Sequence, residues 1–419
     1  MNLSTRIPRP NLSLNLGRGR RSAAEVTGLD IQPGFAAAVQ ARVNGSILAE
    51  RAAILPLAAD TMRDGEVVDE GALADVLREL FAESGLSKRV RVGVANQRTV
   101  LRTLELPPVT DHKELAAAVT FQAQDQVPMP LNNAVLDFHP LGIVDTPAGP
   151  RQRVVLVAAQ RDMIERLLTA VRRAGLSPEG VDLSAFALIR SLYHPEPEQS
   201  GRVLYLNVDG LTNLAIAEGK ICRFTRVVGS GLEGMASELA ERRSIALTDA
   251  RALLAAVDLS SPPPADHPAP ETLEAPAPEP TAVAEAEGEG EDLQPREDVQ
   301  PAEAFDPAEE HSYEAPPVAA PVPDADVWNV LENGIRDISG EVRNSLDFHR
   351  SQEGGGEVSH VVLSGAAEEI PGFAETLQRA LGVEVHSQSV GSVDERLGET
   401  VSCHRLAIAT GLATAEAPQ

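Results

Sequence analysis

VVLSGAAEEIPGFAETLQRALGVEV, residues 361–385, decides the fold class. The apolar run Val361-Val362-Leu363 stops at Ser364-Gly365, and an amphipathic segment follows from Pro371 to Leu381, with Phe373, Leu377 and Leu381 recurring every four residues. Gly382 then precedes a second apolar pair, Val383 and Val385. The order predicts strand, small-residue turn, helix, glycine cap and strand, the repeating unit of an α/β protein. A turn of small residues lets the backbone come close to a ligand or to another strand.

Two other turns stand out upstream. Gly28-Leu29-Asp30-Ile31 opens a strand pattern that turns at Gln32-Pro33-Gly34, and Asn207-Val208-Asp209-Gly210-Leu211-Thr212-Asn213 does the same in the second half. Asn44-Gly45 between two strand-like runs predicts a hairpin. Helices are expected over Glu70–Ser84, from an Asp111 cap with Leu115, Val119 and Phe121 on one face, from an Asp162 cap to Gly175, and over Val327–Arg350. Strands are expected at Ala134–Ile143 and Arg153–Gln160 and in the hairpin turning at Glu218-Gly219.

The formal net charge of -26 is concentrated. Residues 260–326 hold 18 acidic residues against one basic residue, and 15 of the 31 prolines, so that stretch cannot bury enough apolar surface to fold and reads as a disordered linker. The remainder carries an ordinary charge for a soluble protein, with no overall basic balance to suggest nucleic acid. Residues 1–22 carry five arginines and no acid, and read as a disordered basic tail. Two cysteines, Cys222 and Cys403, with no C-x-x-C spacing, point to a reducing compartment, and no apolar run of membrane-spanning length occurs, so a cytoplasmic location is expected. No nucleophile elbow, zinc-protease motif or P-loop is present, and no catalytic residue is assigned.

The three turns, in this order, resemble those of the actin-like ATPases, whose two ribonuclease H-like halves clamp a nucleotide. LELPPVTDHKELAAAVTFQAQDQVPMPLNNAVLDFHPLG is similar to the small α+β subdomain inserted into the first half of FtsA and of the type IV pilus assembly protein PilM. VVLVAAQRDMIERLLTAVRRAGLSPEGVDLSAFALIR, LTNLAIAEGKICRFTRVVGSG, GEVRNSLDFHR and LSGAAEEIPGF resemble the PilM family. The resemblance implies a duplicated actin-like fold with an inserted subdomain. Its parts would be a tail 1–22, a first half 23–98 and 179–199 around an insert 99–178, a second half 200–259 and 327–403 around the linker 260–326, and a closing helix and tail 404–419.

It also implies ATP and Mg²⁺ as cofactors. Backbone N–H groups in two hairpin turns cradle phosphates, and carboxylates hold the metal. The matching positions are Asp30, Gly34, Asn207, Asp209, Gly210, Thr212, Asn213, Gly229, Gly231, Ser364 and Gly365, with Asp30 and Asp209 as the metal ligands. Four departures erode that set. Gln32-Pro33 replaces a glycine and removes an N–H, with Ala37 at the lysine position. Asn207 stands where the family has Asp. Arg251 and Leu254 stand at the nucleoside Glu and Lys positions, and Ala366 replaces a third-turn glycine.

By resemblance the partner is the cytoplasmic N-terminal peptide of a PilN-like membrane protein. It would lie in a groove between insert and first half, near helix 115–124 and strand 134–138, with further pilus platform proteins as partners and membrane contact only through them. The expected role is a scaffold with a degenerate nucleotide site; the alternative is a working Mg-ATP-dependent actin-like ATPase. Asn-Leu pairs within residues 9–16 resemble the partner peptide, which makes the tail a candidate occupant of the same groove in cis.

Overall fold

The computed structural model describes residues 26–147, 149–195, 201–261, 325–352, 354–393, 397 and 401–414. The basic tail 1–22 and nearly all of the acidic linker lie outside the described residues.

The first lobe begins with a meander, β1 (Thr27–Gln32), β2 (Phe35–Asn44) and β3 (Ser46–Pro56). Gly34 and Gly45 occupy its turns with φ of 97° and 80°, backbone that a side chain resists. A two-residue hairpin, β4 (Met62–Arg63) and β5 (Glu66–Val67), precedes α1 (Glu70–Ala82), whose Asp69 cap accepts from the N–H groups of Gly71 and Ala72. Then comes β6 (Arg89–Val94).

The next four elements form an insert: β7 (Val100–Leu106), α2 (His112–Gln126), β8 (Ala134–Thr146) and β9 (Gly149–Gln160). The chain returns through α3 (Arg161–Arg173), β10 (Ser177–Leu183) and α4 (Ser184–Leu192). The second lobe holds β11 (Arg202–Val208), β12 (Thr212–Glu218), β13 (Ile221–Val228), α5 (Leu232–Arg243) and α6 (Leu247–Ala255). After the linker come α7 (Ala325–Ser351), β14 (Val358–Ser364), α8 (Phe373–Leu381), β15 (Val385–Ser387), β16 (Gly391–Ser392) and α9 (Ala407–Ala413).

The strand order exposes a duplication. The first sheet runs β3-β2-β1-β6-β10 and the second β13-β12-β11-β14-β15. Each is an antiparallel meander whose first strand pairs in parallel with a strand that follows a helix, and a second such strand pairs in parallel with that one. This repeated order is the two-lobed actin-like arrangement. The insert, a three-stranded sheet β7-β9-β8 under α2, branches out between β6 and β10.

Layers stack across the molecule. Helices α1 and α3 cover the outer face of the first sheet; α5, α6, α7 and α8 cover that of the second. Between the sheets lie α4 and α9, packed with Phe35, Val39, Tyr205 and Ala215. That middle layer depends on absent side chains. A Cβ on Gly411 would run into the Ala187 carbonyl of α4, and one on Gly28 into the Ala409 carbonyl of α9. The second lobe also reaches across: β16 extends the first sheet beside β3.

The opening stretch folds as its pattern predicts, with β14, Gly365 at φ 101°, α8, and Gly382 left-handed at the helix end. Two local expectations are corrected. Phe121 is 70 % exposed; the inward face of α2 is Leu115, Val119 and Ala123, spaced by four, and a residue two beyond Val119 points the other way. Asp162 sits within the first turn of α3, whose cap position is Gln160, so it acts on the helix dipole and not as a cap.

Gly411→Leu is expected to overpack the α4–α9 contact and lower stability by roughly 1–3 kcal/mol or more. Gly234→Ala, in α5 with open space around it, should gain about 0.5–1 kcal/mol through helix propensity. Thermal or urea unfolding of the two variants checks the contrast.

Candidate functional site

Two concavities matter, the cleft between the lobes and a groove beside the insert.

At the floor of the cleft, Asp30 lies two residues before the end of its buried strand, near the turn that carries Asp209, and each is 1 % exposed. Gln32 joins them. Its Nε2 donates to Asp30 Oδ2 at 2.8 Å and, at a longer 3.4 Å, to Asp209 Oδ2. Asp209 also accepts from Asn207 Nδ2 at 2.7 Å and from the backbone N–H of Ala366 at 2.6 Å. One network therefore ties together all three turns found in the sequence. Burial raises the Asp30 carboxyl to about 7, against the Gln32 hydrogen bond and with the help of the Asp209 charge. Burial likewise raises Asp209 to about 6, opposed by the Asn207 and Ala366 donors and by Arg405.

The turns press against each other. A Cβ on Gly210 would meet the Pro33 carbonyl, one on Gly231 the Gly210 carbonyl at the same spot, and one on Gly365 the backbone of Val208. Outside this contact remains a cavity of about 100 Å³ lined by Gly34, Phe35, Leu232, Leu254, Ala366 and Ile370 among others. Two arginine–glutamate pairs border it. Arg405 donates to Glu369 through two bonds of 2.8 and 2.6 Å and lies 5.8 Å above the Phe35 ring. Arg251 makes a forked pair with Glu233 and reaches the Leu57 carbonyl of the other lobe at 3.3 Å.

The structure thus brings together Asp30, Gly34, Asn207, Asp209, Gly210, Gly231 and Gly365. It turns the others elsewhere. Thr212 donates to the Ser230 carbonyl at 2.6 Å, and Ser364 to the His404 carbonyl at 3.3 Å. Asn213 lines a small separate cavity with Asn96 and Thr225, and Gly229 lies against Gln97. Sequence reasoning missed the bridging role of Gln32, which it counted only as a lost glycine. It also missed Glu233, Glu369 and Arg405, for which the one local signal was the unexpected Arg251.

The groove is larger, about 230 Å³. Its wall on the insert is one face of a sheet, with Val135 and Asp137 of β8 and Val157 and Ala159 of β9 at alternate positions. Its opposite wall includes five consecutive residues of β10, Glu179 to Leu183. Side chains alternate along a strand, so a consecutive run marks an edge turned to the groove and not a face. Among the described residues β10 has a single strand neighbour, β6, so that edge is unpaired. At the groove floor Arg190 pairs with Asp182 at 2.8 Å, both largely buried, and Arg89 pairs with Glu179 at 2.8 Å. Asp137 accepts only the N–H of Phe138 among the described residues, and burial raises its carboxyl to about 6. The expected strand 134–138 lines this groove; helix 115–124 contributes no lining residue.

The family model of type IV pilus assembly protein PilM matches residues 28–210. Over those residues the chain is similar to the PilM family. The match runs from the first meander through the insert to the second hairpin turn. A solved PilM–PilN type IV pilus biogenesis complex is 22 % identical, covers 93 % of this chain and 98 % of that one, and superposes with a TM-score of 0.66. The ethanolamine utilization protein EutJ of Carboxydothermus hydrogenoformans is 14 % identical over 94 % of this chain and 91 % of its own, with a TM-score of 0.47. MreB5 of Spiroplasma citri bound to AMPPNP is 11 % identical over 93 % and 95 %, with a TM-score of 0.44.

The two carboxylates make a pH prediction. An Asp with its folded value raised to about 7 holds a proton that the unfolded chain, with a value near 3.8, has released. Its contribution to stability is therefore greatest at low pH and is lost as pH rises through that window. Asp30→Asn is expected to raise the unfolding temperature at pH 7.5 and to flatten the difference from the parent below pH 5. A variant less stable than the parent at pH 7.5 would mean that the Asp30 charge is held by a cation.

Proposed function

We propose that this chain is a scaffold of type IV pilus assembly. It holds the cytoplasmic N-terminal segment of a PilN-like membrane protein in the groove between insert and first lobe, while the cleft between the lobes does not act as a nucleotide site. The match of residues 28–210 to the PilM family model supports the pilus role, and the likeness to the PilM–PilN complex supports the partner. No helix among the described residues is long and apolar enough to cross a membrane.

The observation that carries the reading is the contrast between the two concavities. Small-molecule sites usually enclose about 300–1,000 Å³. The cleft offers about 100 Å³. Its phosphate turns are in mutual contact, and its rim charges are neutralised by each other. A tight Mg²⁺ site needs ionised carboxylates, and both acids here are raised toward neutrality by burial. The buried Gln32 Oε1, which lacks a donor, is the one feature that favours a cation. The arrangement does not fit Mg-ATP. The groove, by contrast, combines an apolar sheet face with an unpaired strand edge, which suits an extended peptide.

Titration calorimetry separates this from the alternative, a working ATPase. No heat is expected with ATP and Mg²⁺, and micromolar binding lost in Asp30→Ala would establish the alternative instead. A synthetic peptide of the PilN-like protein's cytoplasmic N-terminus should bind at tens of micromolar or tighter. Val135→Arg, which fills the groove from a half-exposed position, should weaken it at least tenfold with unchanged unfolding temperature. Unweakened binding to that variant would move the partner to another surface.

A further inference from the structure

We propose that Glu233 and Arg251 form a latch between the lobes: a side-chain pair of the second lobe grips the first turn of the first lobe and holds the cleft shut without a ligand. The proposal concerns the cleft alone and does not depend on what occupies the groove. Three observations lead to it.

The pair is built within the second lobe but ends on the first. Glu233 lies in the first turn of α5 and Arg251 in α6. Arg251 donates to both carboxylate oxygens of Glu233, through Nε at 2.9 Å and through Nη2. Such a fork fixes the plane of the guanidinium. Nη2 carries a second hydrogen, and the same nitrogen reaches the Leu57 carbonyl of the first lobe at 3.3 Å. The two side chains are 15 % and 25 % exposed, so salt screens the pair little.

The receiving surface is shaped for it. Leu57 is bonded on both sides: its N–H donates to the Gly34 carbonyl at 2.9 Å, and its own carbonyl accepts from Arg251. A Cβ on Gly34 would stand 2.8 Å from Glu233 Oε2 and 3.7 Å from Arg251 Nη2, so the turn lies on the pair itself.

A second fork of the same design holds the next residue. Arg405, oriented by two hydrogen bonds to Glu369, lies 5.8 Å from the centre of the Phe35 ring, within range of a cation–π contact. Gly34 and Phe35 are thus held from two sides by guanidinium groups, each aimed by its own glutamate. A pair that only braced the second lobe would need no contact beyond itself, yet both of these meet the same turn of the first. Drawing the lobes apart breaks the Arg251–Leu57 and Arg405–Phe35 contacts and leaves both ion pairs intact, so the latch can open and reclose.

Hydrogen exchange on the full chain tests this. Arg251→Met keeps the stem and removes the donors. In that variant the amides of Gly34, Phe35 and Leu57 should speed up at least about tenfold more than those of β14 in the second sheet. Arg251→Lys keeps the charge, but a single ammonium cannot fork Glu233 and hold a fixed plane toward Leu57. The same pattern is expected with a smaller factor, and this variant decides the matter where the methionine variant does not fold. Faster exchange confined to α5 and α6 would make the pair a brace of the second lobe and overturn the proposal. So would a uniform rise that includes β14, or rates equal to the parent throughout.

Discussion

Two carboxylates buried on facing turns cannot both stay charged without strong compensation, and the rest of this molecule is arranged around how that is met. Asp30 belongs to the first lobe and Asp209 to the second, and the Gln32 amide reaches both. A neutral donor lowers the cost of burying each acid but does not cancel it, so both remain inclined to hold a proton. A protonated or amide-bridged pair can be brought closer than two bare carboxylates. The glycine-to-carbonyl contacts between the turns are the result. The lobes therefore meet through local chemistry at the base of the cleft, and two arginine–glutamate pairs border it.

Much of this was legible in the sequence. The strand–turn–helix pattern of 361–385 survives almost residue for residue because its signals are local: an apolar run, two small residues, a four-residue period and a glycine cap. The three turns were recognisable for the same reason. What the pattern could not carry was side-chain direction across the cleft. Gln32 read as a lost glycine, since a sequence shows what a position lacks and not what its side chain reaches 177 residues away. Phe121 was misplaced by the opposite error, an apolar identity given more weight than its angular position on the helix. Thr212 and Ser364 lie in the expected turns, yet their hydroxyls are taken by nearby carbonyls. Glu233, Glu369 and Arg405 carry no motif and become visible only as pairs.

The groove owes its form to topology. An insert that leaves the first sheet after β6 and returns before β10 must stand beside the β10 edge. Natural sheets seldom leave such an edge uncovered, because unpaired N–H and C=O groups invite another strand. The charged residues Glu179 and Asp182 lie along it, a common way to discourage promiscuous pairing. Both are already paired with arginines, Glu179 with Arg89 and Asp182 with Arg190, so the edge is charge-balanced where it faces the apolar sheet surface.

Groove and cleft are joined through the C-terminal end of α9. Arg91 donates to the carbonyls of Leu412 and Thr414 at 2.8 and 3.1 Å, and Arg190 to those of Gly411 and Thr414. Both arginines line the groove, and the carbonyls they cap are the ones a helix leaves without partners at its end. The same helix packs between the lobes through Gly411 and against Gly28, two residues from Asp30. A peptide that drew Arg91 or Arg190 toward itself would take a donor from α9, and the loss would fall on the layer that sets the distance between the lobes. Two hydrogen-bonded arginines thus connect the wall of the groove to the helix that lies between the lobes.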